Sequence, residues 1–315
     1  MSEDCAKTGV LNGKEDVEGY ADTAKNVDLV LTPDAIEFFL AETKLDSVRA
    51  VEQHILKIQS EAAKVFPYPC IRRFDFVKLK VSNLPTYRLF LNTAKEHKGC
   101  LFLDVGTCFG TDVRKVVADG FPVRDVICTD IRPEFWEIGH QLYRSTQESL
   151  PVKFISGDVL DESFIREGEI SYQKAEDIVH REQPTFTSLV PLEGKIGFIH
   201  VSNFFHLFTE AEQLHLARSL ASLLSPSPGS MIFGAHVSRP EKGFRSEAPP
   251  PAPGYLGNRM FCHSAASWIE MWDGEVFAKG TVKVEAKVVE QQREDLVVLD
   301  PGVKFYQIVW SVIRL

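Results

Sequence analysis

At 315 residues the chain is long for one minimal domain and short for two large ones, which predicts one enlarged core with an appendage. Its composition is ordinary for a globular protein, 44% hydrophobic and 25% charged, and the net charge of −9 argues against a nucleic-acid partner, whose phosphates need Lys and Arg. The six cysteines form no CxxC pair and no His stands at zinc-ligand spacing, so free thiols in a reducing compartment and no metal are expected. Residues 1–27 are polar, without an apolar run, and read as a flexible tail. No stretch approaches about 18 apolar residues, which predicts a cytoplasmic protein with neither secretion signal nor membrane span.

Thr32-Pro33-Asp34 offers an N-cap followed by proline at the first helical position. Ile36, Phe39, Leu40, Val48, Val51, Ile55 and Ile58 then recur at helical spacing, predicting one long helix or two shorter ones over 34–65. From Phe66 to Phe90, three prolines interrupt an aromatic stretch, read as a connector or lid; 28–98 thus forms an N-terminal helical and lid segment. The 22 Phe residues leave two readings open, a Phe-packed core or an apolar ligand pocket. After Gly99 the text alternates. Buried strands are predicted at Leu101–Val105, Val126–Thr129, Val152–Ile155, Ile196–Val201 and Met231–Ala235, with helices near 111–119, 133–147, 161–167 and 209–224 between them. Such alternation predicts a parallel sheet with crossover helices. A helix near 264–273 precedes two final strands, 281–289 and 304–313, expected to close as a hairpin with an antiparallel strand at one sheet edge. Two insertions stand apart: a charged, helical one at 168–192, and a proline-rich loop at 238–262.

The chemistry concentrates at strand ends. CLFLDVGTCFGTDVRKVV, 100–117, runs from an apolar strand ending in Asp104 through a turn of Gly106, Thr107, Cys108 and Gly110 into a helix. Glycine there lets the backbone approach a ligand closely. An acid two residues before the first Gly is not required by the NAD fingerprint and suits a cationic ligand. Asp130 ends the next strand 24 residues after Gly106, placed to accept from ribose hydroxyls; helix capping is its structural alternative. Asp158 and Val159 follow the third strand as candidates for reading an adenine edge, and Val201, Ser202, Asn203 and His206 follow the fourth. In an open α/β sheet ligands sit beyond the carboxyl ends of the strands.

With these residues in place, 99–315 resembles a class I S-adenosylmethionine-dependent methyltransferase. YPCIRRF, LFLDVGTCFGTDVRKVV, VICTDIRPEFW and KFISGDVLD further resemble the fungal meroterpenoid-pathway methyltransferases, which methylate small acids, including carboxyl groups of prenylated aromatic intermediates. The resemblance implies a doubly wound, mostly parallel seven-stranded sheet with S-adenosylmethionine as cofactor. It implies a methionine-side turn of Asp104, Gly106 and Gly110, Asp130 and Ile131 beside ribose and adenine, and Asp158 with Val159 at the adenine. Cys108 departs from it, standing where many such enzymes have glycine.

The acceptor is expected to be a small apolar molecule, with a homodimer as the candidate assembly. Its pocket is expected from 66–90 and 238–262, with Tyr68, Phe74, Arg259 and Phe261 as substrate contacts and Arg245 a further carboxylate partner. A carboxylate acceptor needs no proton removed, whereas a hydroxyl needs a base. His206 is the best-placed base or orienting group, ahead of His200, His236 and His263; a packing role is the competing reading for all four. Among rivals, an amide or nucleobase N-methyltransferase would carry [DNS]PP[YF] where this chain has SNFF. The alternative of another class is a cofactor-binding scaffold that guides a cyclisation or isomerisation without methyl transfer.

Overall fold

The structure is a computed structural model describing residues 28–172, 186–245, 260–292, 302 and 304–315. Seven strands form the main sheet: β1 Leu101–Val105, β2 Val126–Asp130, β3 Lys153–Ser156, β4 Ile196–Val201, β5 Met231–Ser238, β8 Val282–Gln291 and β9 Phe305–Arg314. Their order is β3-β2-β1-β4-β5-β9-β8, parallel from β3 to β5. β9 pairs antiparallel with both β5 and β8. The antiparallel strand is therefore second from the edge, not at it as the hairpin pattern had suggested. The edge falls to β8, whose Lys283, Glu285 and Lys287 alternate with Val282, Val284 and Ala286. Charge along an edge discourages pairing with another chain.

The inner parallel strands β1, β2, β4 and β5 are buried on both faces because helices cover both. Leu103, Ile127, Ile199 and Ile232 meet α7 Glu210–Leu223 and α8 Ala265–Trp272 through Leu216, Leu220, Trp268 and Trp272. On the other face Phe102, Phe198 and Phe233 meet α4 Tyr87–Glu96, α5 Thr111–Ala118 and α6 Pro133–Tyr143. Phe90 of α4 sits fully buried within about 5–6 Å of the Phe102, Phe121, Phe198 and Phe233 rings.

The N-terminal pattern resolves into two helices, α1 Pro33–Thr43 and α2 Val48–Val65, because Lys44 turns left-handed and Ser47 caps the second. Their apolar faces, Phe39, Ile55 and Ile58, pack on Ile138, Leu142 and Tyr143 of α6. The short α3 Pro69–Arg72 follows, and then Phe74 and Phe76 enter this same core. Phe abundance is thus spent largely on packing. Residues 161–167 form turns, not the expected helix, since Phe164 and Ile165 are drawn into the core beneath α7. The tail at 1–27, much of the 168–192 insertion, the proline run and Arg259 lie outside the described residues. The flanks of the 238–262 insertion pair as a small ribbon, β6 Gly243–Phe244 with β7 Phe261–Cys262.

Candidate active site

The turn after β1 is left-handed at three positions: Gly106 at φ +72°, Cys108 at +51° and Gly110 at +69°. A side chain at Gly106 would meet the Phe204 ring at 2.6 Å, and one at Gly110 the Trp136 ring at 2.5 Å. Both glycines answer a steric demand as well as a backbone one. Cys108 meets the conformational demand without glycine, at a cost of roughly 1–2 kcal/mol. The turn is held from several sides. Gly106 and Thr107 donate backbone N–H groups to the Thr129 carbonyl, at 2.9 and 3.0 Å. Arg114, almost wholly buried, donates to the carbonyls of Phe109 (3.0 Å) and Gly110 (3.2 Å) and lies over the Tyr143 and Trp136 rings. Burial pulls its guanidinium down to about 10.

Asp130, ending β2, accepts from Cys108 N at 2.9 Å through Oδ2 and from Arg132 N at 3.0 Å through Oδ1. Burial raises its carboxyl above the usual range, with those two amides pulling the other way. Beside it, Ile131 is 42% exposed, an unusual place for a large apolar side chain at a strand end. Asp158 is half-buried and closes its own turn on Leu160 N, while Val159 and Val201 are buried in the core. Arg132 lies 4.3 Å over the Phe66 ring and donates to the hydroxyl of the half-buried Tyr68 at 3.4 Å, while Phe74 is buried in the core.

Asp104 is placed differently from its neighbours. It lies in β1 directly opposite His200 of β4, and accepts from His200 Nδ1 at 2.7 Å. His200 Nε2 meets Ser202 Oγ at 2.8 Å, and Ser202 Oγ accepts from Ala235 N at 3.2 Å. Burial opposes a charge on His200, but the hydrogen bond and charge of Asp104, with Asp112 behind it, outweigh that and raise its pKa. This buried pair braces β1 against β4 beneath the turn.

Beyond β4 and β5 lies a second group. His206, in the turn Phe205–Leu207, stacks beside His236 of β5, with centroids 6.5 Å apart. His236 packs on Trp268 at 4.7 Å, and His263 on Trp268 at 5.4 Å and on Phe261 at 5.4 Å. Burial lowers all three imidazoles: His206 to about 3, helped by Arg245 and Arg73, His263 to about 4, helped by Lys242, and His236 strongly, helped by His206 and His263. All three are neutral at pH 7. The structure therefore gathers His206, His236, His263, Arg245 and Phe261, and sets His200 apart with Asp104.

Sequence reasoning missed Phe204, whose ring closes on Gly106, and Arg114. The His200–Asp104 pair left a usable signal, since a histidine inside the apolar strand IGFIHV must find a polar partner.

A doubly wound sheet with an inserted antiparallel strand, a left-handed glycine turn after β1 and an acid ending β2 defines the class I S-adenosylmethionine-dependent methyltransferases. Residues 22–77 match the family described as "Meroterpenoid methyltransferase N-terminal domain". The chain is 28% identical to the Asnovolin E/Chermesin D methyltransferase nvfJ of Aspergillus novofumigatus, over 84% of each chain. It is 30% identical to O-methyltransferase phiE of Fungal sp. (strain ATCC 74256), covering 74% of this chain and 67% of that one. To methyltransferase adrK of Penicillium roqueforti it is 30% identical, covering 71% and 69%. The chain belongs to this methyltransferase family, the fungal meroterpenoid-pathway group.

Proposed function

We propose that this methyltransferase esterifies the carboxylate of a small, largely apolar secondary-metabolite acid. The cofactor's place is read from β1 to β3: an acid at the end of β2, the exposed Ile131 next to it and a tight turn over α5 suit a ribose, an adenine face and a methionine tail. The bound sulfonium would supply an electrophilic methyl group. The chain's own residues then have to align the acceptor oxygen and keep water out.

The observation that supports the carboxylate reading is that His206, His236 and His263 are buried against one another and Trp268, which suppresses the basicity of these three. A phenol titrates at about 10, so handing its proton to His206, which burial holds far below the ordinary histidine range, runs steeply uphill. A carboxylate brings no such proton. The names of the relatives support transfer to oxygen in one case, an O-methyltransferase, and name Asnovolin E and Chermesin D in another.

Incubation with methyl-labelled S-adenosylmethionine and a panel of prenylated aromatic acids tests the proposal. The expected product is a labelled ester whose label is released by mild alkali. Label held on a phenolic oxygen or on carbon would overturn the carboxylate reading.

A further inference from the structure

Asp104 is the acid that the sequence offers to a cation at the β1 turn, and the fold spends it elsewhere. It is buried and accepts from His200 Nδ1 at 2.7 Å; burial pulls that imidazole's pKa down and Asp104 more than restores it. A buried carboxylate already engaged by a histidine has little left for a second charge. Asp130 has both oxygens on backbone amides, those of Cys108 and Arg132. A cation brought to Gly106 therefore needs another partner.

What lies on the turn is a ring. β4 ends at Val201, and Asn203 then bends the chain with a left-handed φ of +53° while its N–H donates to the Ala235 carbonyl at 2.7 Å. Residues other than glycine seldom take that conformation. Past the bend, Phe204 reaches the β1 turn: a side chain on Gly106 would come within 2.6 Å of Phe204 Cδ2 and 3.0 Å of Cε2. Phe208 packs edge-on against the same ring, with centroids 5.2 Å apart, and Phe204 stays only partly buried. A ligand that approaches the turn at Gly106 thus meets an aromatic ring. Such a ring carries negative charge density on its face and attracts a cation without a counter-ion.

Resting on the methyltransferase reading, which sets the methionine end of the cofactor at this turn, we infer that Phe204 recognises the sulfonium charge. S-adenosylmethionine carries that charge, and S-adenosylhomocysteine, with a neutral sulfur, does not. Both carry the ammonium, so the ring distinguishes the two molecules only through the sulfur. Phe204 is then a specificity determinant: it favours the charged cofactor, lets the spent one leave more readily, and has no proton to move.

Calorimetric titration of the full chain with S-adenosylmethionine and with S-adenosylhomocysteine, without acceptor, is the test. Phe204→Leu keeps an apolar contact and removes the ring, so the ratio of the two affinities should fall by about fivefold or more. An unchanged ratio, whether both affinities drop together or neither moves, overturns the role. Should Phe204→Leu fail to fold, mono- and trifluorinated phenylalanine placed at position 204 of the full chain decide. Fluorine draws density from the ring face with little change of shape. S-adenosylmethionine affinity should then step down with fluorine number while S-adenosylhomocysteine affinity stays level, and equal responses refute the proposal. A wild type that binds neither molecule would instead remove the methyltransferase reading itself.

Discussion

Asp130 and Asp104 are both acids at strand ends, yet the fold gives them different work. Asp130 stands at the lip of the sheet with both oxygens on backbone amides, one of them in the Cys108 turn. Replacing it by Ala removes a proposed ribose contact and releases the turn as well. S-adenosylhomocysteine affinity should fall by on the order of 2–3 kcal/mol, read by calorimetry. Undiminished affinity in a folded Asp130→Ala protein would take Asp130 out of the site. Asp104 faces His200 across two buried strands, and removing one partner of such a pair costs about 3–5 kcal/mol. Asp104→Asn should therefore lower the denaturation midpoint markedly. The pair also sets a pH dependence. The folded pKa of His200 lies above its unfolded value near about 6.5, so the folded state holds the proton more tightly. Its stabilisation is full below about pH 6.5 and fades as pH rises through the folded value. Urea midpoints at pH 6 and pH 9 should show the loss in wild type and not in Asp104→Asn.

At the scale of elements, α1 and α2 act as a buttress for α6. Ile55 of α2 is fully buried against that helix, and α6 in turn presses Phe135 and Trp136 on the turn at Phe109 and Gly110. A polypeptide beginning at Gly99 would expose the whole of that apolar face. It is expected to unfold or aggregate, not to persist as a cofactor-binding core. Ile55→Ala, a milder lesion, should cost about 2–5 kcal/mol by chemical denaturation. If the shortened chain melted cooperatively at the wild-type temperature, the buttress role would be wrong. α7 and α8 are built to start where they do: each opens on a capping box, Thr209 with Glu212 and Ser264 with Ser267. Those starts fix the places of His206, just before α7, and of His263, just before α8.

At the scale of the whole molecule, the neutral His206, His236 and His263 and the proposed carboxylate acceptor make one prediction about rate. With a carboxylic acid substrate, kcat should stay flat from about pH 6 to 8, and His206→Ala should cost less than about tenfold. A rate climbing through the ordinary histidine range, with a loss of roughly 10²–10⁴ on His206→Ala, would defeat the carboxylate reading and leave methyl transfer standing. Much of this architecture was legible in order along the chain. Strand and helix periods predicted the parallel strands to within a few residues, because each is a local pattern of apolar side chains against a repeating backbone. The turn 104–110 and Asp130 stood out for the same reason, as residue types at strand ends that backbone geometry singles out. Pairing across sequence distance was not legible. That β9 enters between β5 and β8, that Asp104 is opposite His200, and that Trp310 donates to His236 each depend on segments that are not neighbours in the sequence. Burial is likewise a property of the assembled core: it neutralises three histidines whose positions in the sequence suggest bases. The sequence by itself determined the class of sheet and where its parallel strands end, since those follow from local periodicity. Only the tertiary structure decided the charge of His206, His236 and His263, since desolvation and long-range contacts exist only once the chain has folded.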